Sequence, residues 1–490
     1  MQRTKRWLFL IHRWFGIVAC LFMLLWFVSG VVMMYVGYPK LTQSERLARL
    51  PDLDARQCCI AVGQAARALP ADARPSSIVL TSVAGRPQYQ FGVGRKIVAV
   101  DAVSGAAVAD IGVTDALAAA RVFMPGVTAA YLDRVDEDTW THTRGLDMHR
   151  PLHRVQMDDP EQTLLYVSGA TGEVVRKATH AERVWNYAGA WLHWLYAFRG
   201  GPLDGAWSHI VIYLSLAGVL VAVSGSVIGI WRWRFRGRFR SGAKTPYREP
   251  VMRWHHLTGL AFAGITLTWV FSGLMSMNPW GLFKSDGGEL NRRAYAGAAL
   301  DPASSPIGSG DALKLLPAPW QARELRWHML DGKPYLIAVN GAGRTRMIDA
   351  SARHVVDAVP PEQIMRAAVK LVDAPLSGSE LLQREDAYYY SREAHTMMGG
   401  MRHPLPVLRL RYADAAQTWV HIDPATGVLL GKLDSTQRVK RWLFAFLHSW
   451  DLPVLLSSRP WWDIALILLS LGGLALSLTG VVIGVRRLRH

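Results

Sequence analysis

The chain has 490 residues, a formal net charge of +17 at neutral pH, 20 Trp and a mean hydropathy of +0.11. It is too polar for a protein that lies wholly within a membrane and, in places, too apolar for a soluble one. Its positive charge does not favour nucleic-acid binding, because the basic residues concentrate at the ends of apolar segments.

Four apolar segments are long enough to cross a bilayer core of about 30 Å, which takes about 20 helical residues. They are residues 8–35, 207–231, 254–277 and 462–485. Trp and Tyr lie at or near their ends, as is typical of membrane interfaces. The first segment is too long for the apolar part of a signal peptide, and no small-x-small cleavage site follows it. We therefore predict a retained helix there.

The basic residues predict the orientation of these helices. The N-terminal residues, residues 232–253 and the C-terminal tail together contribute +13 of the net charge. The positive-inside rule places these three segments in the cytoplasm. Residues 36–206 and 278–461 then lie on the opposite side, which in a bacterium is the periplasm. Only about 33 residues face the cytoplasm, too few to fold a nucleotide-binding domain.

The chain contains an internal repeat. An offset of 243 residues aligns the first and third spans, matching His12 with His255 and Ser29-Gly30 with Ser272-Gly273. An offset of 255 residues aligns the second and fourth spans, matching His193 with His448. Both halves enter the membrane in the same direction, which predicts a parallel repeat with its axis along the membrane normal.

The segments between the spans are predicted to be α+β. Helical periodicity in "QCCIAVGQAARALP" and "PEQIMRAAVKLV" is followed by alternating strands, including four strand–turn–strand units, two in each half. Cys58 and Cys59 are expected as small apolar residues on the first of these helices, with redox-active or metal-binding vicinal thiols as the alternative. The predicted fold has four transmembrane helices, two short interfacial helices and two α+β lobes. The predicted boundaries are 1–37 (helix 1), 38–182 (lobe 1), 183–232 (interfacial helix and helix 2), 233–253 (basic loop), 254–278 (helix 3), 279–437 (lobe 2) and 438–490 (interfacial helix, helix 4 and tail).

The residues "IHRWFGIV", "IDPATGVLLGKL", "LHSWDLP" and "RPWWDIALILLSLGGLALSLTGVVIGVRRL" resemble the PepSY-associated transmembrane proteins of bacteria. The resemblance covers nearly the whole chain. It implies PepSY-like lobes in the periplasm and a place in the inner membrane. The family includes haem proteins that reduce ferric siderophores, and many members without an assigned substrate.

Two duplicated histidines lie near the predicted cytoplasmic ends of spans 1 and 3. His12 is followed four residues later by Gly16, and His255 by Gly259, each on the same helix face. A glycine there leaves room for a flat macrocycle. Two His on facing helices suit the two axial positions of one haem iron.

A second duplicated pair, His193 and His448, lies in short aromatic segments before spans 2 and 4. We read these segments as interfacial helices on the periplasmic side. The absence of a C-x-x-C-H motif indicates non-covalent haem b. One His pair near each face predicts two b-type haems stacked across the membrane, with the four His as iron ligands.

Other readings remain open. A solvated or snorkelling side chain is the ordinary explanation of a His near a helix end. His256 is a second candidate ligand, and His209 is a possible further contact. Two polar loops carry potential soft-metal ligands: His142, His149 and His153 in one, and His395, Met397, Met398, Met401 and His403 in the other. Arg150 and Arg402 are weak candidates for attracting an anionic chelate.

These observations predict transmembrane electron transfer through two haems. By resemblance, the acceptor is a ferric siderophore or another ferric chelate in the periplasm. The donor is expected to be a quinol or a separate reductase, and membrane lipid surrounds the helices. One alternative is a non-catalytic, membrane-anchored PepSY interaction or regulatory module. A metal-transport component is another, although the spans carry no acidic residue apart from Asp463 at an edge.

Overall fold

The computed structural model describes residues 2–199, 201–285, 287–392 and 403–489. Its α-helices are α1 (Gln2–Tyr35), α2 (Gln43–Arg49), α3 (Val62–Ala65), α4 (Val113–Phe123), α5 (His180–Asn186), α6 (Trp207–Arg232), α7 (Pro250–Ser276), α8 (Arg292–Ala296), α9 (Ser309–Lys314), α10 (Pro361–Ala368), α11 (Ser435–Lys440), α12 (Leu447–Ser449), α13 (Pro453–Leu456) and α14 (Trp461–Leu488). Its strands are β1 (Ser77–Val83), β2 (Arg86–Val93), β3 (Lys96–Asp101), β4 (Ala129–Val135), β5 (Leu152–Met157), β6 (Leu164–Ser168), β7 (Val174–Ala178), β8 (Glu324–Leu330), β9 (Lys333–Val339), β10 (Thr345–Asp349), β11 (His354–Val356), β12 (Leu376–Leu382), β13 (Val407–Tyr412), β14 (Trp419–Ile422) and β15 (Leu429–Leu433).

Four of the described helices, α1, α6, α7 and α14, are long and apolar enough to cross a membrane, so the chain is a membrane protein. They correspond to the four predicted spans. Helix α7 begins at Pro250, four residues before the predicted start. The Glu249 side chain accepts a hydrogen bond from the Met252 N–H, and proline at the first helical position needs no partner for a missing N–H.

The four long helices pack as a bundle in which α1 and α7 each contact both α6 and α14. At its middle, two consecutive glycines of α14 receive aromatic rings from α1 and α7. A Cβ atom at Gly473 would lie 2.2 Å from Phe27 Cζ, and one at Gly472 would lie 2.2 Å from Phe262 Cε1. The rings therefore lie directly on the α14 backbone, and this contact sets how closely the helices approach.

The strands form three antiparallel sheets, and one of them joins the two halves of the chain. The seven-stranded sheet has the order β11-β10-β9-β8-β1-β2-β3, with β1 of the first half paired to β8 of the second. The four-stranded sheets are β4-β5-β6-β7 and β12-β13-β14-β15. The α+β character predicted for these segments is confirmed. At this strand pair the α+β segments of the two halves share one sheet.

The vicinal cysteines lie outside the helix on which they were predicted. Cys58 and Cys59 are bonded to each other and precede α3, which begins at Val62. Their expected helical placement was therefore wrong. The helix is short because Ala61, its N-cap, has extended backbone dihedrals and Leu69, just beyond Ala68, is extended again.

The basic loop, residues 233–249, is folded rather than extended. The Arg234 N–H donates to the Lys244 carbonyl and the Phe239 N–H to the Ala243 carbonyl. His256, 7 % exposed, fixes this loop to the bundle: its Nδ1 lies 2.7 Å from Thr245 Oγ1 and its Nε2 2.9 Å from the Gly229 carbonyl oxygen. We call this end of the bundle the basic-loop end and the opposite one the lobe end.

Substituting Gly473→Ala is expected to destabilise the bundle by about 1–3 kcal/mol, because the new methyl group overlaps the Phe27 ring. The midpoint of thermal unfolding of the full chain in detergent measures this. Gly264→Ala on α7 is the matched control, since a Cβ there meets nothing within 4 Å. An equal effect of the two substitutions would contradict the packing account.

Substituting His256→Ala is expected to release the basic loop. Loss of the buried hydrogen bond to Thr245, worth about 1 kcal/mol, predicts trypsin cleavage within residues 233–249 that is about fivefold faster. Cleavage is followed by mass spectrometry of the full chain in detergent. His209→Ala, an exposed position on α6, is the control. Unchanged cleavage in the His256→Ala variant would show that His256 does not hold the loop.

Candidate functional site

Two histidines on diagonally opposed helices meet at the basic-loop end of the bundle. His12 of α1 and His255 of α7 have ring centroids 6.3 Å apart, with the ring planes inclined by 43°. The helices themselves are held apart by α6 and α14, which pack between them on either side. The two rings thus face one another across the bundle interior.

Each of these rings is fixed by a hydrogen bond from Nδ1 to a flanking helix. His12 Nδ1 lies 3.1 Å from the Val221 carbonyl oxygen and 3.4 Å from Ser224 Oγ, both on α6. His255 Nδ1 lies 3.1 Å from Thr479 Oγ1 on α14. The 255-residue offset of the predicted repeat aligns Ser224 with Thr479, so equivalent positions serve the two histidines.

A second pair of histidines meets at the lobe end. Helix α5 continues into a π-helical turn, Tyr187–Trp191, and His193 lies two residues beyond it. The corresponding π-helical turn Arg441–Phe446 leads into α12, which carries His448. The ring centroids of His193 and His448 are 6.0 Å apart.

The lobe-end rings are fixed in the same manner by the long helices. His193 Nδ1 lies 3.0 Å from Ser29 Oγ of α1, and His448 Nδ1 lies 3.0 Å from Ser272 Oγ of α7. The indole N–H of Trp26 also donates to the His193 carbonyl oxygen over 3.0 Å. Helices α1 and α7 therefore take part in both pairs. They carry the two histidines at the basic-loop end, and their serine hydroxyls hold the two histidines at the lobe end.

These contacts define which ring nitrogen carries the proton. The Ser29 hydroxyl donates to the Leu25 carbonyl and the Ser272 hydroxyl to the Trp269 carbonyl, so each accepts from its histidine. Thr479 likewise donates to carbonyls of its own helix, and at His12 the carbonyl of Val221 accepts. All four rings are then Nδ1–H tautomers. In the described part of the chain no hydrogen bond involves their Nε2 atoms, which keep a free lone pair.

The two pairs are well separated along the membrane-crossing direction. Seventeen residues separate His12 from Ser29 on α1, and the same number separates His255 from Ser272 on α7. At 1.5 Å per residue this corresponds to about 25 Å. The pairs therefore lie near opposite ends of the spans, as the sequence predicted.

Glycines contact each ring, but they are not those singled out in the sequence. A Cβ at Gly225 would lie 2.6 Å from His12 Cε1, and one at Gly480 would lie 3.5 Å from His255 Cε1. Gly30 and Gly273 border His193 and His448 in the same way, at 3.7 and 3.9 Å.

The predicted Gly16 and Gly259 face neighbouring helices instead. A Cβ at Gly16 would lie 3.9 Å from Val221 Cγ1, and one at Gly259 would lie 3.6 Å from Leu476 Cδ1. At both positions an added Cβ atom would make an ordinary van der Waals contact. Their role in making room for a macrocycle stays a prediction.

The second-rank histidines lie apart from both pairs. Both ring nitrogens of His256 are engaged, Nδ1 with Thr245 of the basic loop and Nε2 with the Gly229 carbonyl of α6, which leaves neither for an iron. His209 is exposed near the start of α6 and stacks on Tyr213, with ring centroids 6.5 Å apart.

The loop histidines have separate surroundings. His142 packs on Tyr196, His149 contacts Ser168 and His153 contacts Tyr131. Arg150 is engaged by Asp147 within its own loop. His395, Met397, Met398, Met401 and Arg402 lie outside the described residues, while His403 packs against Tyr389. Within the described ranges, no three His, Cys, Asp or Glu side chains come together as a metal site.

The supporting hydroxyls were missed by the sequence reasoning. The repeat aligns Ser29 with Ser272 but assigns no role to them, and no motif marks Ser224 and Thr479. The sequence signal that could have identified them is a polar residue inside an apolar span at two positions that the repeat aligns. Such residues are uncommon without a partner in the bundle.

The arrangement fits a metal held between two imidazoles. An imidazole nitrogen binds a metal ion at about 2 Å, so two rings on opposite sides of one ion have centroids about 6 Å apart. Metal-bound histidines almost always donate their other ring N–H to an acceptor, as all four do here. The four residues thus meet the distance and hydrogen-bonding requirements of axial ligands.

Comparison with known protein families identifies the family to which the chain belongs. No curated protein matches its sequence. A family model described as the PepSY-associated TM region matches residues 9–325, which include the first three spans and His12, His193 and His255. The chain therefore belongs to the PepSY-associated transmembrane family.

Proposed function

We propose that the protein carries electrons across the bacterial inner membrane through two b-type haems and delivers them to a ferric chelate in the periplasm. His12 and His255 would hold one haem, and His193 and His448 the other. The observation that carries the proposal is the pair of facing Nδ1–H histidines at each end of the bundle, with ring centroids 6.3 and 6.0 Å apart.

The haem supplies a reversible one-electron couple when bound. The protein's contribution is to fix both imidazoles, to select the Nδ1–H tautomer that presents the Nε2 lone pair, and to surround the site with apolar side chains. The Nδ1–H bonds to Ser29, Ser272, Thr479 and Val221 perform the first two tasks. Between the two sites lie Met23, Phe27 and Val270, which belong to the buried core of the bundle and exclude water.

The orientation follows from the charge distribution. The basic loop and the N-terminal basic residues would lie in the cytoplasm, and the sheets in the periplasm. The same proposal includes a duplicated fold and a position of the two short aromatic helices at the membrane interface.

Because the basic-loop end carries no nucleotide-binding domain among the described residues, the electron donor would be a quinol or a separate reductase. Iron in its ferrous state binds hard oxygen ligands more weakly, which releases it from the chelate.

Removal of one ligand is expected to abolish one haem site and leave the other. His12→Leu or His255→Leu should eliminate the low-spin haem at the basic-loop end, and His193→Leu or His448→Leu the one at the lobe end. Haem content and the low-spin absorption spectrum of the purified full chain measure this. His209→Leu is the control. A wild-type protein that binds no haem would favour the interaction-module or metal-transport alternative, and variants that keep both low-spin haems would contradict the assigned ligands.

Removal of a supporting hydroxyl is expected to retune a site without emptying it. In Ser272→Ala, His448 loses the acceptor for its Nδ1–H and becomes a weaker electron donor, so the reduction potential at the lobe end should rise by about 20–60 mV. Potentiometric titration at constant haem content measures the shift. Ser276→Ala is the control, because among the described residues that hydroxyl donates only to the Gly273 carbonyl. An unchanged potential in Ser272→Ala would show that the hydrogen bond does not tune the site.

A further inference from the structure

A large cleft lies between the seven-stranded sheet and the β4–β7 sheet, and we call it the interlobe cleft. Its volume is about 780 Å³, within the usual range of small-molecule sites. Residues of β1, β2, β3 and β8 form one wall, helix α2 and strand β7 contribute to others, and Gly145, Leu146 and His149 complete the lining. Val79, Ile97 and Val175 give the walls an apolar character.

A chain of ion pairs around two buried carboxylates forms the floor of the cleft. The Arg46 guanidinium lies between Glu173, at 2.9 Å, and Glu324. Glu324 also accepts from Arg326 Nε over 2.9 Å. The side chains of Glu173 and Glu324 are only 9 % and 2 % exposed, whereas that of Arg326 is 37 % exposed and faces the cleft.

The floor is balanced in charge. Two guanidinium groups compensate two carboxylates, and burial lowers the pKa of His149 against the opposing effect of the Glu173 carboxylate, which disfavours a further positive charge there. The cleft therefore offers hydrogen-bond donors, chiefly Arg326 and the Gln43 amide, without a net charge. A ligand rich in oxygen and nearly uncharged fits these groups. A triply charged anion would lose its hydration without a counter-charge.

A row of aromatic side chains leads from the lobe-end histidines toward this cleft. Trp194 follows His193 directly, and its ring centroid lies 5.3 Å from that of Tyr196. Tyr196 in turn lies 5.1 Å from His142. His142 is three residues before Gly145 of the cleft wall, a Cα separation of at most about 11 Å.

We propose that the interlobe cleft binds the acceptor, a ferric chelate of little or no net charge, and that Trp194, Tyr196 and His142 lie on the electron route to it. This inference rests on the proposed electron-transfer function. The step would be a one-electron reduction of the chelated iron from Fe(III) to Fe(II), and the electron would come from the one-electron couple of a haem held by His193 and His448. No bond to the protein forms, and the iron–oxygen bonds of the chelate weaken.

Binding is tested separately from reduction with a redox-inert probe, the gallium(III) complex of a linear trihydroxamate. The affinity for the probe is measured by isothermal titration calorimetry with the full chain in lipid nanodiscs. Wild type should bind the probe, Arg326→Gln should bind about tenfold more weakly, and Val79→Trp should place a bulky ring in part of the cleft and also weaken binding. Arg344→Gln, an exposed position on the turn before β10, is the control and should bind like wild type. Equal binding by all variants, no binding by wild type, or equally tight binding of a triply charged gallium catecholate would overturn the assignment.

The route is tested with Tyr196→Leu. This variant should bind the gallium probe normally and keep its haem content, yet reduce the corresponding ferric chelate at least about tenfold more slowly in a single turnover from the reduced protein. Tyr213→Leu, an exposed tyrosine on α6, is the control. An unchanged rate in Tyr196→Leu would overturn the route. Gallium-chelate binding by a wild-type protein without haem would refute the proposed function while supporting the cleft as a binding site.

Discussion

Four histidine rings are held at the two ends of one helical bundle, each by a hydrogen bond from Nδ1–H. An imidazole inside a membrane bundle is costly unless its polar atoms are satisfied. Here Val221, Thr479, Ser29 and Ser272 satisfy one nitrogen of each ring and leave the other with its lone pair. The arrangement thus places four ring nitrogens with free lone pairs inside a packed helical bundle.

The packing of the bundle makes these contacts possible. Small residues border every ring, and Gly472 and Gly473 admit two aromatic side chains to the bundle centre. A larger residue at these positions would separate the helices and change the distance between facing histidines. The same four helices therefore define two sites about 25 Å apart and exclude water between them. That geometry suits a carrier of electrons, since electrons need fixed centres and no moving part.

The sequence allowed prediction of those features for which one physical explanation dominates, namely the four spans and the four duplicated histidines. The four spans follow from length and hydropathy, and His12, His255, His193 and His448 follow from duplication within or beside apolar segments. The partners of these rings could not be predicted, because hydropathy does not fix the rotation of one helix against another. Gly225, rather than Gly16, contacts His12 for the same reason. The pairing of β1 with β8 joins strands about 245 residues apart, and local patterns carry no information on such a contact.

The central claim is that each facing histidine pair ligates one haem iron. Low-temperature electron paramagnetic resonance of the oxidised full-length protein, combined with haem quantification, tests it most directly. The account predicts two haems per chain, both low-spin ferric centres with two axial imidazoles. A protein without haem, or one whose haem is entirely high-spin, would contradict it.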